Sequence, residues 1–525
     1  MASVRRVCQV ICIVFTLILL AIGGILLAAT IRALMLEDTD YQYSAYEGGL
    51  IDDIPASYLE TLPQIFADAL KIPTVSKEPG DYDREQLLKF HQFLRDNFPN
   101  VFNSSFIKVE VINTYSLLFT IMGSDENVQP YLLASHMDVV PVDENKWSNP
   151  PFSGRIMHDP DIGELYIWGR GAIDDKSGVM GIMMALEYLV ISGFQPKRKF
   201  YVAFGHDEEV NGYDGAYHIS KTLLARNVTL DFLLDEGMPI LEGVIKGMDV
   251  PVAVIGVTEK GWMRVKVEVE GEGGHSSIPP KDQVVTRLSK AIYNLGRYPQ
   301  PSMFGTGPES DLFNYLAPKA SWPYKLVFAN LWLFRPLLEM VMSASRETNA
   351  FLRTTTAATI VRAGVKENVV PTSGYAIVNH RVHPAQSLED VLQHDIDIIG
   401  DAKVKVSVDQ QRAAHPVSPY GPKVPGWRLI ASTLQHFFPK VVAAPGMLVA
   451  NTDTIHYLNL TSCVYRFMPI FLDNTLIYTI HTHNERLPVS AVINEVRYYH
   501  RLILSADVDV PPIEDIRPGH RSGEL

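Results

Sequence analysis

The stretch from Lys199 to Gly212, KFYVAFGHDEEVNG, decides the fold of this chain. Its first half, Phe200 to Phe204, is an apolar run that is typical of a buried strand. Its second half delivers four ionisable residues to the end of that strand, namely His206, Asp207, Glu208 and Glu209. Such groups are costly to bury unless they find partners, and ligands bind at the carboxyl ends of strands in open α/β sheets. The stretch therefore predicts a binding site or, taken alone, a solvated acidic turn.

Four further apolar runs end in residues of the same kind. They end in His136-Met-Asp138, in Asp174-Asp175, in Asp235-Glu236 and in His481-Thr-His483. A helical pattern from Ser177 to Ile191 begins soon after Asp175, so strand, loop and helix alternate along the chain. This alternation predicts an α/β fold with a largely parallel sheet, and the five run ends predict one polar site at its edge.

The length of 525 residues, with 47% hydrophobic and 20% charged residues, indicates a globular chain of two domains. We predict a catalytic domain in two parts, residues 51–250 and 386–508, interrupted by an α+β lid domain at residues 251–385. The strongly apolar stretch 324–342 is either ordinary lid core, a dimer face or a binding surface for an acyl chain. Residues 509–525 form a polar tail that we expect to be disordered.

Residues 1–30 have the pattern of a signal peptide or a signal anchor. Arg5 and Arg6 precede the apolar run Val7 to Ala29, which is long enough to span a bilayer. Small residues at Ala28-Ala29-Thr30 offer a cleavage site. We expect a secreted protein, with a type II signal-anchored membrane protein as the alternative. In both cases the body of the chain lies in the secretory lumen or outside the cell.

The remaining composition excludes several classes of protein. A net charge of −13 without a basic run excludes nucleic acid as a partner. Neither G-x-S-x-G nor H-E-x-x-H is present, and Gly169-Arg-Gly171 lacks the third glycine of a dinucleotide-binding loop. Two of the three cysteines lie in the leader, so we expect no internal disulfide. Three N-x-S/T motifs provide glycosylation candidates, at Asn103, Asn227 and Asn459.

The residues at the run ends are suited to a two-metal centre. Two imidazoles and three carboxylates are enough for two zinc ions that share one carboxylate, and the candidates are His136, Asp174, Glu209, Asp235 and His481. Two such ions about 3.5–4 Å apart lower the pKa of a water between them. Glu208 is then a candidate general base, and Asp138 is placed to orient His136. Between His481 and His483 the residue pattern does not decide.

Six motifs, taken together, resemble those of the aminoacylase/carboxypeptidase family of two-zinc exopeptidases. They begin at His136, Gly169, Asp207, Asp235, Gly273 and His481, in the order found in that family. The resemblance implies a catalytic α/β domain with an inserted lid of the kind that forms homodimers. It implies that Asp174 bridges two zinc ions, with His136 and Asp235 on one, and Glu209 and His481 on the other. It also implies His481 rather than His483 as the ligand.

The same resemblance implies further site residues. Glu208 is implied as the base, and His275 in the lid as the group that polarises the scissile carbonyl. Arg381 occupies the place of the arginine in an Asp-x-Arg pattern, although Asn379 replaces the aspartate. Arg381 and Asn451 are therefore candidates for substrate binding.

Several segments resemble a secreted branch of the family that joins fatty acids to amino acids and hydrolyses the products. These are Ser276–Pro280, Arg353–Thr356, Ala363–Val365, Asn451–Asp453 and Tyr465–Pro469. The hypothesis that follows is a metal-dependent amide hydrolase and synthase whose partners are fatty acids, amino acids and N-fatty-acyl amino acids. Lipoprotein surfaces and a homodimer through the lid are further expected partners. The alternatives are a secreted dipeptidase or carboxypeptidase for short peptides, and a non-catalytic carrier.

Overall fold

An eight-stranded mixed sheet, here called the central sheet, organises the larger domain. The computed structural model describes residues 2–36, 54–159 and 163–508. The strands, in order across the sheet, are Val442–Leu448, Val252–Glu259, Val464–Leu472, Leu233–Leu241, Tyr131–His136, Phe200–Gly205, Ser116–Ile121 and Ile107–Ile112. The predicted α/β fold is therefore confirmed.

Three neighbouring strands of the central sheet run parallel, and their carboxyl ends lie at the same edge. They are Tyr131–His136, Phe200–Gly205 and Leu233–Leu241. His136 lies opposite Gly205, so the two motifs that follow these strands emerge side by side. Every residue of the first two strands is buried, as their continuous apolar runs predict.

Helices cover the central sheet, and the most buried of them is Lys176–Ile191, which packs against the final helix Val489–Val508. The helices in chain order are Ala2–Met35, Ala56–Leu59, Leu62–Leu70, Arg84–Asn97, Pro99–Asn103, Lys176–Ile191, Ala216–Ala225, Val284–Arg297, Pro308–Leu316, Tyr324–Phe328, Leu331–Met342, Arg346–Leu352, Leu388–Ile399, Pro425–Phe437, Thr454–Tyr457, Asn474–Ile477 and Val489–Val508. Three-residue 3₁₀ turns occur at Glu144–Lys146, Glu208–Val210 and Ala317–Lys319. Small sheets add the pairs Ser76–Glu78 with Asp81–Tyr82 and Gly274–His275 with Val369–Val370, and the triple Arg155–His158, Leu165–Trp168 and Arg486–Pro488.

A second sheet, of four antiparallel strands, forms the lid. In spatial order the strands are Thr355–Ala363, Ser373–Val382, Gly261–Glu270 and Val404–Arg412. Side chains of Gly261–Glu270 alternate between buried and half-buried positions, because only one face of the sheet is covered. Helices Val284–Arg297 and Leu388–Ile399 supply that cover, and the lid core formed in this way is separate from the core around the central sheet.

The expected domain boundaries at 250 and 385 do not coincide with the two sheets. Val252–Glu259 pairs within the central sheet, whereas Leu388–Ile399 and Val404–Arg412 belong to the lid. The lid sheet and the helices that cover it therefore lie between Gly261 and Arg412, whereas the segment 304–352 within this range packs into the larger domain. The chain enters and leaves the lid sheet on neighbouring strands, with Trp262 opposite Arg412. Local patterns do not reveal this division, because helices and strands of both domains have the same periodicity.

The apolar stretch 324–342 is not lid core. Phe328 and Met342 pack into the core of the larger domain, as do Phe313 and Leu352 nearby. In the helix Leu331–Met342, however, Met342 is the only buried residue. This correction leaves most of a strongly apolar helix partly or fully exposed.

The helix Ala2–Met35 continues without a break through the expected cleavage site at Ala28-Ala29-Thr30. Its segment Val7–Met35 is long and apolar enough to cross a membrane. Most of its described side chains are exposed, but Ala29 and Ala33 are buried. The polar tail 509–525 lies outside the described residues. The three glycosylation candidates, Asn103, Asn227 and Asn459, are exposed.

Candidate metal centre

Asp174 lies between two histidines that come from distant parts of the chain. Its Oδ1 lies 3.1 Å from His136 Nε2, and its Oδ2 lies 2.9 Å from His481 Nε2. Each carboxylate oxygen thus faces a different imidazole, an arrangement suited to a carboxylate that is shared by two cations. Of the two histidines that the residue pattern left undecided, His481 is the one that faces this carboxylate.

Two glutamates complete the cluster, one beside each histidine. Glu209 Oε2 lies 3.1 Å from His481 Nε2, and Glu236 Oε1 lies 3.4 Å from His136 Nε2. Ligand atoms of His136, Asp174 and Glu209 lie within 4.8 Å of one another. The result is two adjacent sets of donors, each with one histidine and one glutamate, joined by Asp174.

Glu236, which the sequence analysis did not name as a ligand, contacts His136, and the predicted ligand Asp235 is buried next to it. The strand is irregular at this point, because Asp235 lies opposite Arg466 while Met238 lies opposite the next residue, Phe467. An extra length of chain of this kind redirects a side chain, and such bulges are common beside active sites. The Asp235 Oδ1 accepts the backbone N–H of Glu236 instead. The sequence carries the signal in Asp235-Glu236-Gly237, but not the register that chooses between the two carboxylates.

Asp138 connects the two motifs that emerge side by side from the sheet. Its Oδ1 lies 3.3 Å from His136 Nδ1, so it contacts the ring nitrogen that faces away from Asp174. The same carboxylate accepts the backbone N–H groups of Glu208 at 3.1 Å and Glu209 at 3.3 Å. A single buried side chain therefore orients the imidazole and holds the turn that carries both glutamates.

Glu485 holds the loop that presents Asp174. Its carboxylate accepts the backbone N–H groups of Gly171, Ile173 and Asp174 at 3.1, 2.7 and 3.1 Å. It also pairs with Arg170 at 2.6 Å, and both side chains are buried. Because Glu485 follows His481 by four residues, the same segment supplies one donor and fixes another. Its position in the His481 motif was noted from the sequence, but its role as an anchor was not.

The side chain of Glu208 is partly exposed and lies at the side of the cluster. Its Oε2 is 3.9 Å from His136 Nε2. Burial and the neighbouring Glu209 raise the pKa of Glu208 well above its ordinary value. A carboxylate that reaches the cluster without pairing closely to it is suited to the exchange of protons with a ligand.

Among the described residues, the cluster contains several buried carboxylates that lack a compensating positive charge. Burial raises the pKa values of Glu209 and Asp235 to about 7. Hydrogen bonds to Asp174 and Glu209 raise the pKa of His481 to about 10. Within the described part of the chain, Glu209 Oε1 and Asp235 Oδ2 are buried without a hydrogen-bond partner. Buried carboxylates in this number stay ionised only with positive charge among them, so the donor set fits divalent metal ions.

In the described part of the chain, the ion pairs of this cluster do not include the predicted residues His275, Arg381 and Asn451. His275 is exposed at the end of the short strand Gly274–His275, and its Nδ1 lies 2.7 Å from Ser277 Oγ. Arg381 donates from Nη1 to Asn451 Oδ1 at 2.6 Å, and Asn451 in turn donates to Glu259. Arg381 and Asn451 are thus brought together at the junction of the lid and the larger domain.

Two cations that the sequence analysis missed flank Arg381 at this junction. In the lid sheet, Trp262 is paired with Arg381 on one neighbouring strand and with Arg412 on the other. Lys260 is buried, and burial together with the charge of Arg381 lowers its pKa to about 7. Because the nearby Glu259 is paired with Arg466 at 2.7 Å, the junction carries an excess of positive charge.

Comparison with known proteins identifies the family. The model of "Peptidase family M20/M25/M40" matches residues 132–505. The chain belongs to this peptidase family. A solved structure of an M20 metallo-carboxypeptidase, Sso-CP2 from Sulfolobus solfataricus, shares the fold with a TM-score of 0.60 at 15% identity, over 86% of this chain and all of that one.

Curated M20 relatives are much closer in sequence. The chain is 41% identical over 464 residues to the N-fatty-acyl-amino acid synthase/hydrolase PM20D1 of Xenopus tropicalis, covering 88% of this chain and 89% of the relative. It is 40% identical over 454 residues to the "Probable carboxypeptidase S-like 2" of Dictyostelium discoideum, covering 85% of each. The family resemblance predicted from the sequence is therefore confirmed.

Proposed function

We propose that this protein is a metal-dependent enzyme that hydrolyses N-fatty-acyl amino acids and forms them from fatty acids and amino acids. The observation that carries the proposed amide chemistry is the position of Asp174 between His136 and His481, with a glutamate beside each histidine. The choice of substrate is supported by the 41% identity to a relative of that activity. An intact donor set also argues against a non-catalytic carrier.

Two zinc ions are the proposed cofactors. His136, Asp174 and Glu236 would hold one ion, and Asp174, Glu209 and His481 the other. When bound, the ions would act as Lewis acids on the scissile carbonyl and make the attacking water more acidic. Imidazole and carboxylate donors without thiolate suit Zn²⁺, while Asp138 and Glu485 would fix the orientation of His136 and Asp174.

Glu208 is the proposed proton carrier. In hydrolysis it takes a proton from water as the new C–O bond forms, and it gives that proton to the amine nitrogen as the C–N bond breaks. In condensation the amine attacks the carboxyl carbon, the C–N bond forms, and water leaves with the proton that Glu208 returns. The same residue therefore serves both directions. His275 remains the proposed group that polarises the carbonyl. This role requires the lid segment that carries His275 to approach the metal centre.

The junction of the lid and the larger domain is the proposed binding site for the free carboxylate of the amino acid. Arg381 is half-buried, and Arg412 and Lys260 add positive charge that Glu259 does not balance. A guanidinium group that is partly removed from water binds a carboxylate strongly. Asn451 holds Arg381 in place through its 2.6 Å hydrogen bond.

The proposed location of the body is outside the cytosol, and exposed Asn103, Asn227 and Asn459 are accessible to glycosylation there. A homodimer through the lid is also part of the proposal. In its favour, the outer strand Thr355–Ala363 is largely exposed along its length, and an exposed edge strand is able to pair with another chain. Lipoprotein surfaces stay a prediction.

The experiment that tests the proposed function compares hydrolysis of an N-oleoyl amino acid and a dipeptide by the purified protein, with and without a chelator. We expect cleavage of the oleoyl substrate that the chelator abolishes and added Zn²⁺ restores. Cleavage of the dipeptide alone would replace the proposed substrate with a short peptide. The 40% identity to a probable carboxypeptidase S-like protein supports this alternative. If neither compound is cleaved, both the N-fatty-acyl amino acid hydrolase and the dipeptidase assignments would be overturned.

A further inference from the structure

The apolar helix Leu331–Met342 has an exposed face that the proposed chemistry does not use. The exposed fractions of its side chains reach 61% for Trp332, 47% for Leu337, 65% for Met340 and 59% for Val341. Only Arg335 and Glu339 carry charge in this helix. Large apolar side chains that cluster in this way on a folded surface mark a contact with another apolar phase.

The segment that leads into this helix lies against the end of the N-terminal apolar helix. Asn330, which is fully buried, donates from Nδ2 to the backbone carbonyl of Ala29 at 2.9 Å. The side-chain oxygen of Asn330 accepts the indole N–H of Trp332 at 3.2 Å. One asparagine therefore connects the N-terminal helix to the first turn of the exposed helix, and the preceding helix Tyr324–Phe328 packs against the N-terminal helix.

The length of the N-terminal helix fixes the level of this contact relative to a bilayer. Its apolar segment Val7–Met35 has 29 residues. At about 1.5 Å per residue it spans about 44 Å, which exceeds a hydrocarbon core of about 30 Å by several residues. If the apolar run enters the core at Val7, then Ala29 and Arg32 lie at the level of the lipid headgroups, and Trp332 lies beside them.

We propose that the N-terminal helix is retained as a membrane anchor and that Leu331–Met342 rests on the surface of the same bilayer, with Trp332, Leu337, Met340 and Val341 among the lipids. This chooses the anchored alternative over a cleaved leader. Tryptophan is enriched at the headgroup level, because its ring is apolar while its N–H needs a hydrogen-bond partner. Exposed Trp322 and Tyr324, at the start of the helix that also contacts the N-terminal helix, extend this aromatic boundary.

The arrangement holds the body of the protein at a fixed depth. A single anchor leaves a domain free to tilt, whereas a second apolar contact beside the anchor restricts that motion. The inference concerns the surface alone, so it stands whether or not the proposed substrate is correct.

The test uses the full-length chain in phosphatidylcholine vesicles whose acyl chains are brominated near the headgroup. We expect these lipids to quench part of the tryptophan emission, and Trp332→Phe to lose the share of the quenched component that does not come from Trp322. The matched control Trp262→Phe, which changes a tryptophan in the lid sheet, should leave the quenching unchanged. Equal quenching in the wild type and Trp332→Phe would overturn the proposal.

A second set of variants tests the face without removing the reporter. The triple variant Leu337→Glu, Met340→Glu and Val341→Glu should stay in the vesicle through its anchor but lose the quenching of Trp332. A matched control is Leu88→Glu, which adds a charge at another helical leucine that is 52% exposed. Unaltered quenching in the triple variant, or a purified mature chain that begins after Thr30, would also overturn the proposal.

Discussion

Arg170 and Glu485 form an ion pair of 2.6 Å in the interior of the larger domain, 315 residues apart in the sequence. The pair joins the loop that carries Asp174 to the segment that carries His481. Because Glu485 also accepts N–H groups of that loop, the position of the Asp174 carboxylate depends on a fully buried residue. Metal sites commonly depend on such supporting groups.

We expect Glu485→Ala to lose bound metal and to unfold more easily. The change leaves Arg170 buried without its partner, and an interrupted buried ion pair typically costs about 3–5 kcal/mol. Thermal unfolding and metal analysis of the purified protein provide the measurements. Glu272→Ala, on an exposed lid turn, is the control that should match the wild type. Full metal content in Glu485→Ala would show that the loop holds its shape without this anchor.

Glu208→Gln should abolish most of the hydrolysis while leaving the metal in place. The amide keeps the shape of the side chain but cannot carry the proton, and losses of about 10²- to 10⁴-fold in kcat are typical of a missing general base. Steady-state kinetics and metal analysis would be run side by side. An unchanged kcat would remove Glu208 from the mechanism.

The neighbours Asp235 and Glu236 make a matched pair of variants. Glu236 lies 3.4 Å from His136, whereas Asp235 accepts a backbone N–H, so Glu236→Gln should lose metal and Asp235→Asn should retain it. Titration of each variant with Zn²⁺ would measure the difference in affinity, for which about 10-fold or more is expected from the loss of a charged ligand. The opposite ranking would restore the assignment made from the sequence.

Arg381→Ala should weaken the binding of substrates that carry a free carboxylate. A hydrogen bond to a charged group contributes about 1.5–3 kcal/mol, so KM should rise by about 10- to 100-fold. The matching substrate is the same N-acyl amino acid with its carboxylate converted to a carboxamide, for which the variant and the wild type should differ little. An equal loss on both substrates would indicate that Arg381 acts only in holding the junction together.

The pH dependence of stability should report on Glu259. Burial raises the pKa of this carboxyl, but Arg466 and His415 outweigh that effect and lower the pKa to about 2 from an ordinary 4.5. A carboxyl group whose pKa is lower in the folded protein than in the unfolded protein stabilises the fold at pH values above its unfolded-state pKa. This stabilisation disappears as the pH falls through the folded-state pKa. The difference between these two pKa values corresponds to about 3 kcal/mol of stability.

Urea unfolding of the wild type and Glu259→Gln between pH 7 and pH 3 would measure this contribution. We expect the wild type to be the more stable protein by a constant margin down to about pH 4.5, and the margin to shrink below that. A margin that grows on acidification would contradict the role assigned to Arg466.

The parts of the site that lie at strand ends could be predicted from the sequence, because a buried strand determines where its last residue emerges. The placement of His136 and of the pair Glu208-Glu209 follows from this rule, and that of Asp174 from the loop before a buried helix. The contact of Glu236 with His136 could not be predicted, since it depends on a local irregularity in strand pairing. The anchoring role of Glu485 depends on contacts more than 300 residues away in the sequence.

The boundaries of the lid were not predictable for a related reason. Leu388–Ile399 and Val404–Arg412 have the same helix and strand periodicity as elements of the larger domain, and only pairing with Gly261–Glu270 assigns them to the lid. The exposed face of Leu331–Met342 was equally hidden, because an apolar helix pattern does not distinguish a core from a contact with lipid.

The neighbouring entry and exit strands of the lid have a consequence for how the chain is put together. Glu259 and His415 are joined by a backbone hydrogen bond of 3.0 Å, so the two connections leave the larger domain side by side. An insertion whose ends already meet closes its loop in the host at little cost in chain entropy. The lid sheet is thus attached to the larger domain through two adjacent connections, but it could not be removed by a linker from Lys260 to Ala413, because the segment 304–352 between its strands packs into the core of the larger domain. A circular permutant with new termini at the exposed Gly364 would retain both sheets and this segment.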